Sequence, residues 1–159
     1  MSFVAAAVAA TLMALALVHL YWAAGGRWGA DAAVPEVAGK RAFEPGPAAC
    51  IVVAGLLSAA AALVVLRAAR WSPSWLPAWL PAVGCAGVAL VFALRAIGDF
   101  KLVGFFKRVR ETRFARRDTR LFSPLCLALA AGCALVALGV GVPPPARPQP
   151  AVSPRTYDK

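Results

Sequence analysis

The sequence predicts an all-α integral membrane protein with four transmembrane helices. Of its 159 residues, 61% are hydrophobic and only 15% are charged, and the mean hydropathy is +0.71. An ordinary soluble domain is about 45–50% apolar and about 25% charged. A disordered chain is excluded because disorder requires low hydrophobicity. A chain of this length has too few polar residues to shield four apolar helices from water. The helices are therefore predicted to cross a bilayer.

Four segments have the length and composition of membrane spans, since a spanning helix needs about 20 mostly apolar residues. They cover approximately residues 3–24, 48–66, 79–97 and 122–142. Asp118 or Ser123 is predicted to cap the fourth span, and Pro124 suits its first turn. Small residues recur every fourth position and predict close helix packing at Ala6, Ala10, Ala14, Gly55, Ala59, Ala128 and Gly132.

The chain is predicted to form one transmembrane domain, residues 1–142, followed by a tail, residues 143–159. The tail contains six prolines and is predicted to be extended and disordered. Between the third and fourth spans, residues 101–110 predict an amphipathic helix that lies in the membrane surface. Its apolar stripe would be Leu102, Phe105, Phe106 and Val109, flanked by Lys101, Lys107, Arg108 and Arg110.

Basic residues are distributed unevenly between the two ends of the predicted bundle. The formal net charge is +10, and 12 of the 17 Lys and Arg residues lie in or beside the first and third loops. The positive-inside rule therefore predicts that both loops are cytoplasmic and that both termini lie outside. The predicted partner is the lipid bilayer, with anionic lipids at the basic surface. Nucleic acid is not expected as a partner, because the chain has no basic soluble module.

The predicted cytoplasmic ends of the first and third spans carry ionisable side chains at similar depth. His19 and Arg95 each lie about 24 Å along their helix from its outer start. Charges at this depth are costly unless paired, so His19, Arg95 and Asp99 are predicted to face the interior in one network. They could instead be interfacial anchors. The candidates for ligand or head-group binding are His19, Tyr21, Trp22, Arg95, Asp99, Lys101, Lys107 and Asp118, and His19 is also the one catalytic candidate.

No metal site and no cofactor are predicted. The chain has a single histidine, too few ligands for a transition-metal or haem site. Its four cysteines form no Cys-x-x-Cys pair, which disfavours a quinone-linked thiol oxidoreductase. They are expected to be buried as small hydrophobic residues.

Two ordered strings resemble an uncharacterised family of small bacterial four-span membrane proteins. The first is His19-x-Tyr21-Trp22-x-x-Gly25-Gly26, followed by Val34-Pro35. The second is Arg95-x-x-Gly98-Asp99-Phe100, followed by Gly104-Phe105-Phe106-Lys107, Phe114-Ala115, Asp118-Thr119 and Ser123-Pro124-Leu125. The resemblance extends over residues 3–142 and implies a bacterial inner membrane and four helices. It implies no activity, so no catalytic residue is carried over.

The predicted function is non-enzymatic: a membrane protein with a basic, lipid-facing cytoplasmic surface and a ligand pocket at its inner end. One alternative is a membrane-embedded enzyme acting on a lipid-like substrate. His19 would then be the acid or base, and Arg95 with Lys101 would hold an anionic group. Another is a small transporter, which would require a homo-oligomer because four helices leave little room for a pathway.

Overall fold

The computed structural model describes residues 2–34, 36–37, 40–41 and 46–140, and this part forms a bundle of four long helices. Each is long and apolar enough to cross a membrane, which confirms the predicted fold class. The spans are α1 (Phe3–Ala23), α3 (Pro47–Ala69), α4 (Leu80–Ile97) and a fourth helix over Arg113–Ala137. The predicted domain boundary at residue 142 and the proline-rich tail, residues 143–159, lie outside the described residues.

The first three spans begin at residues that suit a helix start. The Ser2 hydroxyl oxygen accepts a hydrogen bond from the backbone N–H of Ala5 at 3.3 Å and so caps α1. Pro47 is the first residue of α3 and Pro81 the second of α4. A proline costs little there because the first N–H groups of a helix have no intrahelical partner.

The four spans pack in a ring around a core of small and medium apolar side chains. The contacts of α1 with α3 and of α4 with the fourth span are the most extensive, and α3–α4 and α1–fourth-span contacts close the ring. Larger apolar side chains point outward, including Leu17, Leu56 and Val91, which are 59%, 66% and 64% exposed. Such a surface would be a liability in water but is what a lipid-facing helix requires. The molecule is therefore a multi-pass membrane protein.

Small residues bring the helices together, although mostly at other positions than predicted. A Cβ atom on Gly132 would overlap the Val8 side chain, and one on Gly84 would lie 2.7 Å from Leu63 Cδ1. The predicted positions Ala10, Ala14, Gly55, Ala59 and Ala128 are exposed on the outside of the bundle. That part of the prediction is wrong because alanine is frequent enough here to recur every fourth residue on any helix face.

The fourth spanning helix begins at Arg113, earlier than predicted. It consists of α5 (Arg113–Arg117), a π-helical turn over Asp118–Phe122, and α6 (Ser123–Ala137). The Thr112 hydroxyl oxygen caps this helix by accepting the Ala115 N–H at 3.0 Å. The predicted cap at Asp118 or Ser123 is therefore wrong, and both side chains are buried inside the bundle.

The π-helical turn has a local cause in the sequence. The Ser123 N–H donates to the Asp118 carbonyl, five residues earlier. Pro124 follows directly, and a proline inside a helix has no N–H and its ring crowds the carbonyl four residues before it. A widened turn accommodates this conflict without ending the helix. Pro124 consequently lies within a continuous spanning helix rather than at its start.

Residues 98–112 form a loop, so the predicted interfacial helix over residues 101–110 is wrong. Gly98 and Gly104 have φ angles of 92° and 88°, which favour glycine. The backbones of these two glycines lie so close together that a Cβ atom on either one would overlap backbone atoms of the other. The Phe105 N–H then donates to the Ala96 carbonyl at 2.9 Å, which folds the loop back onto the end of α4.

The first loop covers the same end of the bundle. It contains the short helix α2 (Ala30–Ala33), which packs against α5. It also contains two antiparallel two-residue strands, β1 (Glu36–Val37) and β2 (Lys40–Arg41). The first and third loops therefore meet over one end of the four spans.

Candidate functional site

The carboxylate of Asp118 is completely buried at the loop-covered end of the bundle and is fully hydrogen-bonded. Its Oδ1 atom accepts a hydrogen bond from Arg95 Nη2 at 2.9 Å. Its Oδ2 atom accepts one from Lys107 Nζ at 2.9 Å, from the Gly104 N–H at 2.8 Å and from the Ser123 hydroxyl at 3.3 Å. Asp118 therefore joins α4, the third loop and α6 through one side chain.

Lys107 is the second buried charge, with only 1% of its side chain exposed. Its ammonium group donates to Asp118 Oδ2, to the Gly104 carbonyl at 2.8 Å and to the Thr119 hydroxyl oxygen at 2.7 Å. These three bonds use all three donors of a lysine. Lys107 was predicted to flank an interfacial helix, and the structure instead places it inside.

Arg95 has one bonded and one unbonded guanidinium nitrogen. Nη2 is held by Asp118, whereas Nη1 is buried and has no hydrogen-bond partner among the described residues. A buried donor without a partner costs about 1–3 kcal/mol, and more when the group is charged. This nitrogen is enclosed by atoms of the described chain, although the Arg95 side chain as a whole is 35% exposed.

A cavity of about 960 Å³ lies beside Arg95, between all four spans and beneath the first loop. Its apolar wall includes Leu15 of α1, Val53 of α3 and Leu125 and Leu129 of α6. Its polar groups lie where the spans meet the loops and belong to His19, Trp22, Arg27 and Arg95. The cavity is therefore apolar along the spans and polar at their loop-covered end.

His19 lines the same cavity in a fixed orientation. Its Nδ1 atom lies 2.8 Å from the Leu15 carbonyl oxygen, and its ring stacks edge-on against Trp22 with centroids 5.1 Å apart. A carbonyl oxygen can only accept, so the proton is assigned to Nδ1, and the neutral ring has its lone pair on Nε2. Trp22 in turn donates from Nε1 to the Trp28 carbonyl at 2.9 Å, which ties α1 to the first loop.

The predicted network of His19, Arg95 and Asp99 is wrong, because Arg95 bonds to Asp118 instead and Asp99 is exposed. The chain leaves its helix at Gly98, so Asp99 is not one turn further along the same face. Asp99 is exposed, and its Oδ1 atom accepts the N–H groups of Lys101, Leu102 and Val103 at 2.9, 2.7 and 2.9 Å. Slight burial raises the pKa of Asp99, but the hydrogen bonds from the backbone lower it by a larger amount. The pKa of Asp99 therefore lies below its ordinary value.

The structure brings together some of the predicted site residues and separates others. His19, Trp22 and Arg95 line the cavity, and Lys107 and Asp118 lie behind Arg95. Tyr21, Asp99 and Lys101 are exposed and do not line it. Sequence reasoning missed the roles of Gly104, Thr119, Ser123 and Arg27. Gly104, Asp118-Thr119 and Ser123 belong to the second family string, but their contacts depend on a loop conformation that residue spacing does not reveal.

The cysteines and acidic side chains of the described residues form no metal site. Cys50, Cys85, Cys126 and Cys133 are all buried free thiols, as expected for small hydrophobic residues. Within the described ranges, no group of three or more His, Cys, Asp or Glu side chains could hold a metal ion.

Comparison with known proteins identifies a family for most of the chain. The sequence model of a family described as "protein of unknown function (DUF3995)" matches residues 12–133. These residues include His19, Arg95, Lys107 and Asp118 and extend into α6. No curated protein and no solved structure matches the chain significantly.

Proposed function

The chain belongs to a family of proteins of unknown function (DUF3995), and we propose that it binds an amphipathic, lipid-like molecule in the cavity beside Arg95. One observation carries this proposal: a single cavity has apolar walls along the spans and polar groups at one end. Ligand sites are commonly about 300–1,000 Å³ and mostly apolar, with a few placed polar groups. The volume of about 960 Å³ falls in this range.

The lining determines how such a molecule would lie. An apolar chain would pack between Leu15, Val53 and Leu129, at the depth of the bilayer. Its polar head would meet His19 and Arg95 beneath the first loop. A lipid-like molecule suits this arrangement because it brings its own polar group to the level of the interface. A wholly polar molecule would leave the apolar wall without a partner.

The third loop supports a role at a membrane surface that carries anionic lipid. The exposed basic residues of the third loop and of the start of the fourth span are Lys101, Arg108, Arg110, Arg113, Arg116, Arg117 and Arg120. Each contributes about 1 kcal/mol near an anionic leaflet. With the positive-inside rule, they favour a cytoplasmic position for the loops and an outer position for the termini. We place the protein in a bacterial inner membrane on the resemblance of its motifs.

A cavity-filling variant tests the proposed function. Val53→Trp would place an indole ring in the cavity. Val52→Trp is the control, because Val52 is the neighbouring residue of α3, is 61% exposed and does not line the cavity. Its indole ring would face lipid. Native mass spectrometry of mildly extracted protein should show a retained amphiphile in the natural protein and in Val52→Trp. Val53→Trp should lose it. Equal retention by both variants would contradict the proposal.

A catalytic role for His19 is the second candidate, and the orientation of its ring favours it. Nδ1 is held by the Leu15 carbonyl, so Nε2 can act as a proton acceptor in the cavity that also holds Arg95. Mass analysis of the retained molecule distinguishes the two functions. If the protein only binds, the natural protein and His19→Gln retain molecules of the same mass. If it is an enzyme, His19→Gln accumulates a substrate of different mass.

A further inference from the structure

We infer that the head group of the cavity ligand carries a hydroxyl group, which donates a hydrogen bond to Nε2 of His19. This inference rests on the proposed function, because it identifies the chemical class of the same ligand. It concerns the polar end of the cavity, where His19 lies on the face of α1 that also carries Leu15 and Trp22.

Nε2 of His19 is an accessible hydrogen-bond acceptor. Nδ1 lies 2.8 Å from the Leu15 carbonyl oxygen, and two lone pairs would repel each other at this distance, so the ring proton is on Nδ1. Nε2 has no hydrogen-bond partner among the described residues. In the same part of the chain, Arg95 Nη1 is the one fully enclosed side-chain nitrogen or oxygen without a partner, so Nε2 is not enclosed. A ligand atom can therefore reach it.

The other nitrogen-bearing side chains that line the described part of the cavity can only donate. Arg27 and Arg95 each carry a guanidinium group, which has five N–H donors and no acceptor. Trp22 has one donor, and the Trp28 carbonyl already accepts from it. His19 therefore supplies an acceptor to a lining whose remaining side-chain nitrogens are donors.

A hydroxyl group matches this lining because it donates and accepts at the same time. Its proton can bond to Nε2, and its oxygen remains able to accept from an N–H group. A carboxylate, an ester or an ether only accepts, so it would exclude water from Nε2 and leave this atom without a partner. An ammonium group only donates, and it would also lie among the positive charges of Arg27 and Arg95. The apolar wall requires that the hydroxyl is attached to a chain.

The test compares paired ligands of equal charge, of which only one member has a hydroxyl group. Delipidated protein in neutral detergent is offered hexadecanol against hexadecyl methyl ether, diacylglycerol against its O-methyl ether, and phosphatidylglycerol against phosphatidylmethanol. Native mass spectrometry measures the retention of each. In at least one pair, we expect the hydroxyl member to be retained over its counterpart by about fivefold, as one neutral hydrogen bond predicts. The pair that shows this preference identifies the source of the hydroxyl group.

Variants assign the preference to His19. His19→Phe keeps a flat ring and removes the acceptor, so the preference should be lost. His19→Gln keeps an acceptor oxygen and should retain part of it. Thr11→Val is the control, because Thr11 lies on the same helix, bonds to the Ala7 carbonyl and does not line the cavity. Full hydroxyl preference in His19→Phe would overturn the inference.

Nuclear magnetic resonance of the natural protein provides a test that needs no variant. His19 is the only histidine, so ¹⁵N-labelled histidine reports on a single ring. The free protein should show a protonated Nδ1 and an unprotonated Nε2. The retained hydroxyl ligand should shift the Nε2 resonance upfield, as an accepted hydrogen bond does, and its counterpart should not. A protonated Nε2, or the same Nε2 shift with both ligands, would overturn the inference even if His19→Phe does not fold.

The outcomes separate this inference from the proposed function. Equal retention of both members of every pair overturns the hydroxyl assignment and leaves amphiphile binding intact. Retention of no amphiphile of either kind overturns both.

Discussion

Arg95 donates from Nη2 to Oδ1 of Asp118 at 2.9 Å, and this bond joins the third span to the fourth across 23 residues of sequence. Asp118 lies in the π-helical turn, and Lys107 of the intervening loop bonds to its other carboxylate oxygen. The ion pairs thus hold two spans and a loop together at one end of the bundle. Arg95 also contributes to the lining of the cavity.

The buried carboxylate should contribute far more to stability than the exposed one. Asp118→Asn removes the counter-charge of Arg95 and Lys107, and breaking a buried pair typically costs about 3–5 kcal/mol. Asp99→Asn is the matched control, because it alters only a local cap worth about 1 kcal/mol. Thermal unfolding in detergent measures both. Similar losses in the two variants would show that Asp118 is not the centre of the network.

Lys107 and Asp118 should be energetically coupled. Lys107→Met leaves Asp118 with Arg95 as its one cationic partner among the described residues, and Asp118→Asn leaves Lys107 buried without a counter-charge there. The double variant removes both, so its loss should be smaller than the sum of the single losses by about 0.5–3 kcal/mol. A double-mutant cycle of unfolding free energies measures this difference, and additive losses would contradict a direct buried contact.

Gly104 should not tolerate a side chain. Gly104→Ala places a methyl group against the backbone of Gly98 at a φ of 88°, so the loop must open. We expect a loss of more than about 1 kcal/mol, since alanine is disfavoured where φ is positive. Gly87→Ala is the control: it lies within α4, nothing surrounds its Cβ position, and the change should stabilise by about 0.5–1 kcal/mol. Unfolding temperatures that move in the same direction would contradict the loop geometry.

Arg67 should stabilise the other end of the fourth span. Its Nη2 and Nε atoms donate to the Ala137 carbonyl at 2.9 and 3.3 Å, where the last carbonyls of a helix lack intrahelical partners. Arg67→Met keeps the length of the side chain and removes both bonds, which should cost about 1–3 kcal/mol. Arg70→Met is the comparison, since Arg70 is exposed. Hydrogen exchange near Ala137 should rise only in the Arg67 variant.

The basic surface should select anionic lipid independently of the cavity. Replacing Arg108, Arg113 and Arg117 with Gln removes three exposed charges and about 1 kcal/mol of attraction for each. Lys107 is left unchanged because it is buried. Lipid analysis of protein in mixed nanodiscs should show less phosphatidylglycerol around this variant than around Arg70→Gln. Unchanged enrichment would argue against a lipid-facing role for this basic surface.

The membrane fold could be predicted from the sequence, whereas the site could be predicted only in part. Hydropathy is a property of each segment, so it identifies the spans without any knowledge of tertiary contacts. The depth of His19 and Arg95 followed from helical rise, and both line the cavity. The bond between Arg95 and Asp118 could not be predicted, because it depends on tertiary contacts between two spans. The burial of Lys107 could not be predicted either, because α4 ends at Gly98 and the loop that follows folds back into the interior. The amphipathic pattern of residues 101–110 predicted a helix wrongly, because a helical wheel presupposes helical backbone. The positive φ angles of Gly98 and Gly104 are incompatible with a helix there.

The most direct test is an experimental structure of the protein purified with native lipid, at a resolution that shows bound molecules. The account predicts elongated density along Leu15, Val53 and Leu129, with its polar head at the level of His19 and Arg95. A cavity filled only by water would contradict it.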